Sequence, residues 1–123
     1  MRVEPHGVGS MVHVTKRGAR GMPITRDAVD RKRFPRLLYY LNDEFQNENW
    51  ERDTLAIPPY SRPDHWPERK PLVGVIAWVL MPNHFHLVLN EIQDGGIAHF
   101  MQRLCGSMSK HFNARHGEQG SIF

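Results

Sequence analysis

Two histidines separated by one phenylalanine, in the run Met81-Pro82-Asn83-His84-Phe85-His86-Leu87, are the residues of this chain whose types and spacing point most directly to chemistry. In an extended strand successive side chains face opposite ways, so His84 and His86 project together while Phe85 and Leu87 enter the other face. Two neutral imidazoles placed like this can chelate one divalent ion. Such an ion would polarise a scissile phosphate and stabilise charge building on its oxygens, given a third ligand and open positions. The same spacing also fits a His pair that merely lines a half-exposed surface, and spacing alone does not choose between the two. Asn83, directly before the first candidate ligand, is placed to hold the turn or to orient a ligand by hydrogen bonding. His13 could neighbour the pair if its strand lies beside theirs. A structural histidine with satisfied partners is the simpler reading, and His13 stays outside the ligand set.

The elements that must position these residues follow from periodicity. Met11 to Arg17 alternates, with Met11, His13, Thr15 and Arg17 on one face and Val12, Val14 and Lys16 on the other, which predicts a short strand. Gly18, Gly21 and Pro23 break regular structure and leave a basic loop carrying Arg17, Arg20 and Arg26. Thr25 or Asp27 can cap a helix running to about Asn47, whose apolar stripe is Phe34, Leu37, Leu38, Leu41 and Phe45, set against polar Arg36, Asn42 and Asp43. Pro35 marks its first turn or a kink. Residues Glu48 to Pro71 are polar and proline-rich and read as a long connection, onto which Tyr60 and Trp66 can pack. Leu72 to Leu80 is a near-continuous apolar run and Phe85 to Leu89 resumes after Pro82-Asn83, predicting two paired central strands. A second helix carries Ile97, Phe100, Met101, Leu104, Met108 and Phe112 at helical spacing and ends near His116-Gly117. Gly120 to Phe123 resembles the start of a strand left incomplete. The order β-α-β-β-α is one strand short of a ferredoxin-like α+β sandwich, an antiparallel sheet with helices on one face.

Bulk properties bound the function classes. A chain of 123 residues fits one domain, here residues 11–123 after an N-terminal extension over 1–10. With 40% hydrophobic and 24% charged residues it is too apolar for a wholly disordered chain. The formal charge of +3 leans toward an anionic partner, nucleic acid foremost. The single cysteine, Cys105, excludes an internal disulfide and a multi-cysteine zinc site, and suits a small buried apolar role in a reducing cytoplasm. No apolar run approaches the roughly 20 residues that span a bilayer, and the start lacks the hydrophobic stretch of a signal peptide.

The motif blocks resemble a known family. Met81-Pro82-Asn83-His84-Phe85-His86-Leu87 behind its apolar strand, Val12-His13-Val14-Thr15-Lys16-Arg17-Gly18, and the stretch from Phe112-Asn113 to Gly120-Ser121-Ile122-Phe123 are together similar to the small single-tyrosine transposases with a His-hydrophobic-His (HUH) motif. The relatives associated with repetitive extragenic palindromes look nearest. The resemblance implies Mg2+ or Mn2+ on His84 and His86, and a homodimer that cleaves and rejoins single-stranded DNA hairpins in DNA transposition and recombination. It also implies a tyrosine nucleophile that forms a covalent phosphotyrosine link, conserving the energy of the broken phosphodiester bond. In that family the tyrosine and a third metal ligand sit on a later helix, in a Tyr-Ile-x-x-Asn-like motif. The tyrosines here are Tyr39, Tyr40 and Tyr60, none at that position. No nucleophile is assigned, and the domain is expected to lack the tyrosine helix. The alternative expectation is a catalytically inactive remnant that binds DNA or RNA hairpins. A phosphoesterase using water in place of tyrosine ranks last, since no carboxylate cluster accompanies the pair in sequence.

Basic residues supply candidate phosphate contacts, which position nucleic acid without reading its sequence. They are Lys16, Arg17 and Arg20 on and after the first strand, and Arg103, Lys110 and Arg115 along the second helix. For each group a solvated charged face is the competing reading.

Overall fold

The computed structural model describes residues 7–123, so most of the expected N-terminal extension lies outside the described residues. Strand β1 spans Met11–Arg17, helix α1 Ala28–Tyr40, a short helix α2 Trp50–Thr54, strand β2 Val73–Met81, strand β3 His84–Glu91 and helix α3 Gly96–His116. The three strands form one antiparallel sheet in the order β1-β3-β2. This is the expected α+β arrangement, with three strands among the described residues.

Alternation decides how the sheet is covered. Along β3, Phe85, Leu87, Leu89 and Glu91 are buried, while His84, His86, Val88 and Asn90 are half-buried on the opposite face. The inward residues meet Phe34 and Leu37 of α1 and Ile97, Phe100, Leu104 and Met108 of α3 in one core. Phe85, Leu87, Leu89, Phe100 and Leu104 are fully enclosed. Each such side chain contributes about 1.5–3 kcal/mol relative to exposure, so the covered face dominates stability. The other face, which no helix of the described residues covers, presents the histidines.

Four expectations need correction. First, β2 is an edge strand and only β3 is central. The apolar run of β2 does not mark burial on both faces, since Ile76, Trp78, Val79 and Met81 are exposed. Second, α1 stops at Tyr40 instead of Asn47. Asn42 and Asp43 are almost completely buried, not solvent-facing. The Asn42 side chain donates to the Val73 carbonyl (2.7 Å) and accepts from the Leu72 and Val73 amides (2.9 and 3.0 Å). Short polar side chains that bond backbone in this way compete with helix continuation. Third, the proline-rich connection contains α2, because buried Trp50 stacks on Tyr40. Trp66 packs down as expected, whereas Tyr60 stays about half exposed against the Tyr39 ring. Fourth, Gly120 to Phe123 forms no strand. One backbone bond, from the Ala19 amide to the Ile122 carbonyl (2.8 Å), ties it to the loop after β1.

The helix ends follow their caps. Asp27 is the N-cap of α1, accepting from the Asp30 amide at 3.0 Å. Gly117 ends α3 in the left-handed conformation, φ 69°, that glycine adopts without penalty. At the other end of α3, a Cβ on Gly96 would lie 2.3 Å from the Leu72 carbonyl oxygen, so only glycine lets α3 start this close to β2. No helix among the described residues is long and apolar enough to cross a membrane.

Candidate metal centre and nucleic-acid face

The uncovered face of the sheet gathers His13, Thr15 and Arg17 from β1 with His84 and His86 from β3. Register brings them together: Thr15 lies directly opposite His86, and Arg17 opposite His84. The His84 and His86 rings stand 5.1 Å apart at 83°. Each ring has its Nδ1 engaged. His84 Nδ1 meets the Asn83 side-chain oxygen at 2.8 Å, and His86 Nδ1 meets both Thr15 Oγ1 and His13 Nε2 at 3.0 Å. Among the described residues, Nε2 of both rings is therefore the atom without a hydrogen-bond partner. A ligating histidine typically has its other ring nitrogen held by a neighbour that fixes ring orientation and tautomer, and this donor set fits that pattern. Partial burial, then the nearby Arg17 and His86, hold His84 below the ordinary histidine pKa, which favours the neutral imidazole that a ligand must be.

Asn83 also anchors the basic loop. Its side-chain amide approaches the Gly21 carbonyl (3.5 Å), and its carbonyl accepts from the Gly18 amide (2.8 Å). The Pro82 carbonyl accepts from the Ile24 amide at 2.7 Å. Between these ties Arg20 is exposed and sits at φ 57°, a left-handed conformation that costs a non-glycine residue about 1–2 kcal/mol. A Cβ on Gly18 would lie 1.9 Å from the Met22 carbonyl oxygen, so the loop can turn only at a glycine there.

The six candidate phosphate contacts separate by position. Arg17 shares the open face with the histidines, and Arg20 lies on the loop bound to Asn83. Lys16 points to the helix side, 6.0 Å over the Phe123 ring. Lys110 is exposed on α3, across the sheet from the histidines. Arg103 and exposed Arg115 are already engaged by groups at the two ends of α1. Arg103 donates to the Leu41 and Asp43 carbonyls, both at 2.7 Å, closing the C-terminal end of α1. Arg115 bridges Asp27 (2.7 Å) and Asp30 (2.6 Å).

Those two carboxylates and His116 form the group of three metal-binding types whose ligand atoms come within 4.8 Å of one another among the described residues. A guanidinium already lies on both carboxylates, and His116 bonds Asp30 at 2.8 Å. The cluster therefore works as an ion-pair network joining the start of α1 to the end of α3. Arg115 hydrogen bonding drives the Asp27 carboxyl far below its usual range. Burial would raise Asp30, yet the Arg26 amide, His116 and Arg115 outweigh it and the net shift is downward.

Sequence reasoning named His13 as a neighbour of the pair on the condition that β1 lies beside β3, which it does, and passed over Thr15. The signal for Thr15 was present in the alternation of β1, which puts it on the face of His13 and Arg17. None of the three tyrosines reaches this face. Tyr39 and Tyr40 belong to α1 under the other side of the sheet, and Tyr60 packs on Tyr39. Tyr40 is buried, donates to the Ser61 carbonyl at 2.8 Å, and has its pKa raised by that burial.

Comparison with protein-family models, with curated proteins and with solved structures found no match.

Proposed function

We propose that this chain is the DNA-handling domain of an HUH-type transposase, binding single-stranded DNA hairpins on the open face of its sheet with Mg2+ or Mn2+ held by His84 and His86. The observation that carries this proposal is the pair of imidazoles on one face, Nδ1 engaged in both and Nε2 without a partner among the described residues, with Arg17 directly across from His84. The motif blocks that resemble the family include this pair, its Asn83 and the β1 residues opposite.

When bound, the ion supplies Lewis-acid polarisation of a phosphate oxygen. The chain's own contributions are positional. Asn83 orients His84 and ties down the loop that presents Arg20. Arg17 and Arg20 attract the phosphate backbone, and the sheet face supplies a surface along which a strand can lie. A homodimer belongs to the same proposal: among the described residues no further strand pairs with the outer edges of the sheet, on β1 and β2, and the β2 edge is uncharged from Val73 to Met81. Size-exclusion chromatography with light scattering distinguishes dimer from monomer.

Cleavage needs a nucleophile, and Tyr39, Tyr40 and Tyr60 lie on the wrong side of the sheet. That placement favours a second reading, a hairpin-binding domain that does not cut. The experiment incubates the purified chain with a labelled single-stranded hairpin and Mn2+, beside a His84→Ala/His86→Ala control, and resolves products on a denaturing gel. Hairpin binding that requires the His pair, without a covalent adduct, supports a binding domain of transposase type. An adduct lost in the control makes one of these tyrosines the nucleophile and refutes the argument from their placement. A hairpin that does not bind at all removes both readings.

A further inference from the structure

We propose that His13 and Thr15 are positioning residues for His86, holding its Nδ1–H so that its Nε2 lone pair points outward beside that of His84. The proposal rests on the reading of His84 and His86 as a metal pair, but its geometry is separate from theirs. Thr15 pairs directly with His86 across the β1–β3 ladder, and His13, two residues earlier on the same face, reaches it diagonally. Thr15 Oγ1 and His13 Nε2 both stand 3.0 Å from His86 Nδ1, and the His13 and His86 rings lie 5.1 Å apart at 34°.

Two partners on one ring nitrogen select a tautomer. A single hydrogen can be shared between two acceptors, as in the three-centre bonds common in proteins. The one in-plane lone pair of a bare nitrogen takes one donor, and the second neighbour would then face it with no hydrogen between them. Hydrogen on Nδ1 satisfies both contacts, with Thr15 Oγ1 and His13 Nε2 accepting. The lone pair of His86 then resides on Nε2, the atom without a partner among the described residues. His84 reaches the same state by a different route, through the Asn83 side-chain oxygen. The two metal-facing lone pairs are thus set by partners from one neighbouring strand, β1, and from the turn before β3.

The alternative, His13 as a third ligand, conflicts with this arrangement. Its Nε2 sits on the Nδ1 side of His86, and the two nitrogens of an imidazole direct their lone pairs away from each other across the ring. The three histidines also do not bring three ligand nitrogens within 4.8 Å of one another, a condition met among the described residues by Asp27, Asp30 and His116.

The test uses the full chain and two readouts. Long-range 1H–15N correlation of the histidine rings without metal reads the His86 tautomer, and electron paramagnetic resonance of free Mn2+ reads affinity. The wild-type chain is expected to show His86 protonated on Nδ1. The His13→Ala/Thr15→Val double variant is expected to show mixed tautomers and about 10–100-fold weaker Mn2+ binding, the range seen when such outer partners are removed. His13→Gln, which restores an acceptor, should recover most of the affinity, and an unchanged thermal melt separates the effect from misfolding. Unaltered tautomer and affinity in the double variant overturn the proposal. So does a His13→Ala loss as complete as that of His84→Ala, which would make His13 a ligand. Wild-type protein that binds no Mn2+ overturns the metal reading instead, and the tautomer still reports whether His13 and Thr15 hold His86.

Discussion

Replacing Arg17 with alanine should weaken single-stranded DNA binding in a way that salt reveals. Arg17 is exposed, lies directly across the ladder from His84, and makes no ion pair among the described residues, so its charge is available to one phosphate at the histidine site. Neutralising one phosphate contributes about 0.7 to the slope of log K against log salt for a single strand. Removing it should lower the slope by about that much, so affinity at roughly 0.1 M salt falls about fivefold and the deficit fades toward 1 M. Lys110→Ala is the matched control: the same charge is lost from α3, behind the sheet, and the slope should not change. Arg103→Ala separates a structural arginine from a binding one. It loses two short bonds to the Leu41 and Asp43 carbonyls, which should cost about 2–4 kcal/mol of stability with the slope of the folded protein unaltered. Fluorescence anisotropy of a labelled hairpin from 0.05 to 1 M salt reads all three. An Arg17→Ala slope equal to wild type, or a Lys110→Ala slope that drops as far, would show that DNA does not lie on the open face.

Three further outcomes are expected. Asn42→Ala leaves two amides and one carbonyl at the start of β2 without their buried partner and should cost about 3 kcal/mol or more in urea unfolding; a loss under about 1 kcal/mol would mean water replaces the side chain. Arg20→Gly should be about 1 kcal/mol more stable than Arg20→Ala, because only glycine relieves the φ of 57°, while both lose hairpin affinity equally; thermal melts and anisotropy separate the two effects. His111 is held below its ordinary pKa by burial and Arg33, as His84 is by its partial burial and Arg17. Both bind a proton less readily in the fold than in the unfolded chain, so as pH falls the unfolded chain takes up protons first. The stability they confer is complete above about pH 6.5 and is lost as pH falls through their folded values. Asp27 and Asp30, depressed in the fold, act in a lower window, complete above about pH 3.9 and lost below it. Melts from pH 7.5 to 5.5 should therefore decline, and His111→Gln should flatten part of that decline.

Local pattern made much of the fold legible. The alternation of Met11 to Arg17 gave β1 its bounds and both faces, and the spacing from Ile97 to Phe112 with Gly117 beyond it gave α3. What remained hidden depended on partners distant in sequence. Asn42 and Asp43 read as solvent-facing because their buried backbone partners lie near β2, about thirty residues on. Arg103 and Arg115 read as free charges because nothing local shows that carbonyls and carboxylates of α1 await them. At the site, spacing placed His84 and His86 on one face. That His13 and Thr15 share it required knowing that β3, not β2, is the middle strand.

The irregularity at Ile76 has a consequence for how β2 tolerates change. Before it Val73 and Val75 stand opposite the inward residues Glu91 and Leu89; after it Trp78 and Leu80 stand opposite inward Leu87 and Phe85. The inward positions pass from odd to even numbers with no face of the strand inverted. One residue is therefore surplus to the ladder, and deleting Ile76 would leave both halves pointing as they do now. A deletion at Val79, past the bulge, would instead flip every side chain between it and the surplus residue, or pull the Pro82-Asn83 turn out of register with His84. Length variation in this strand should be absorbed at Ile76, half a strand away from the histidines, and excluded beside them.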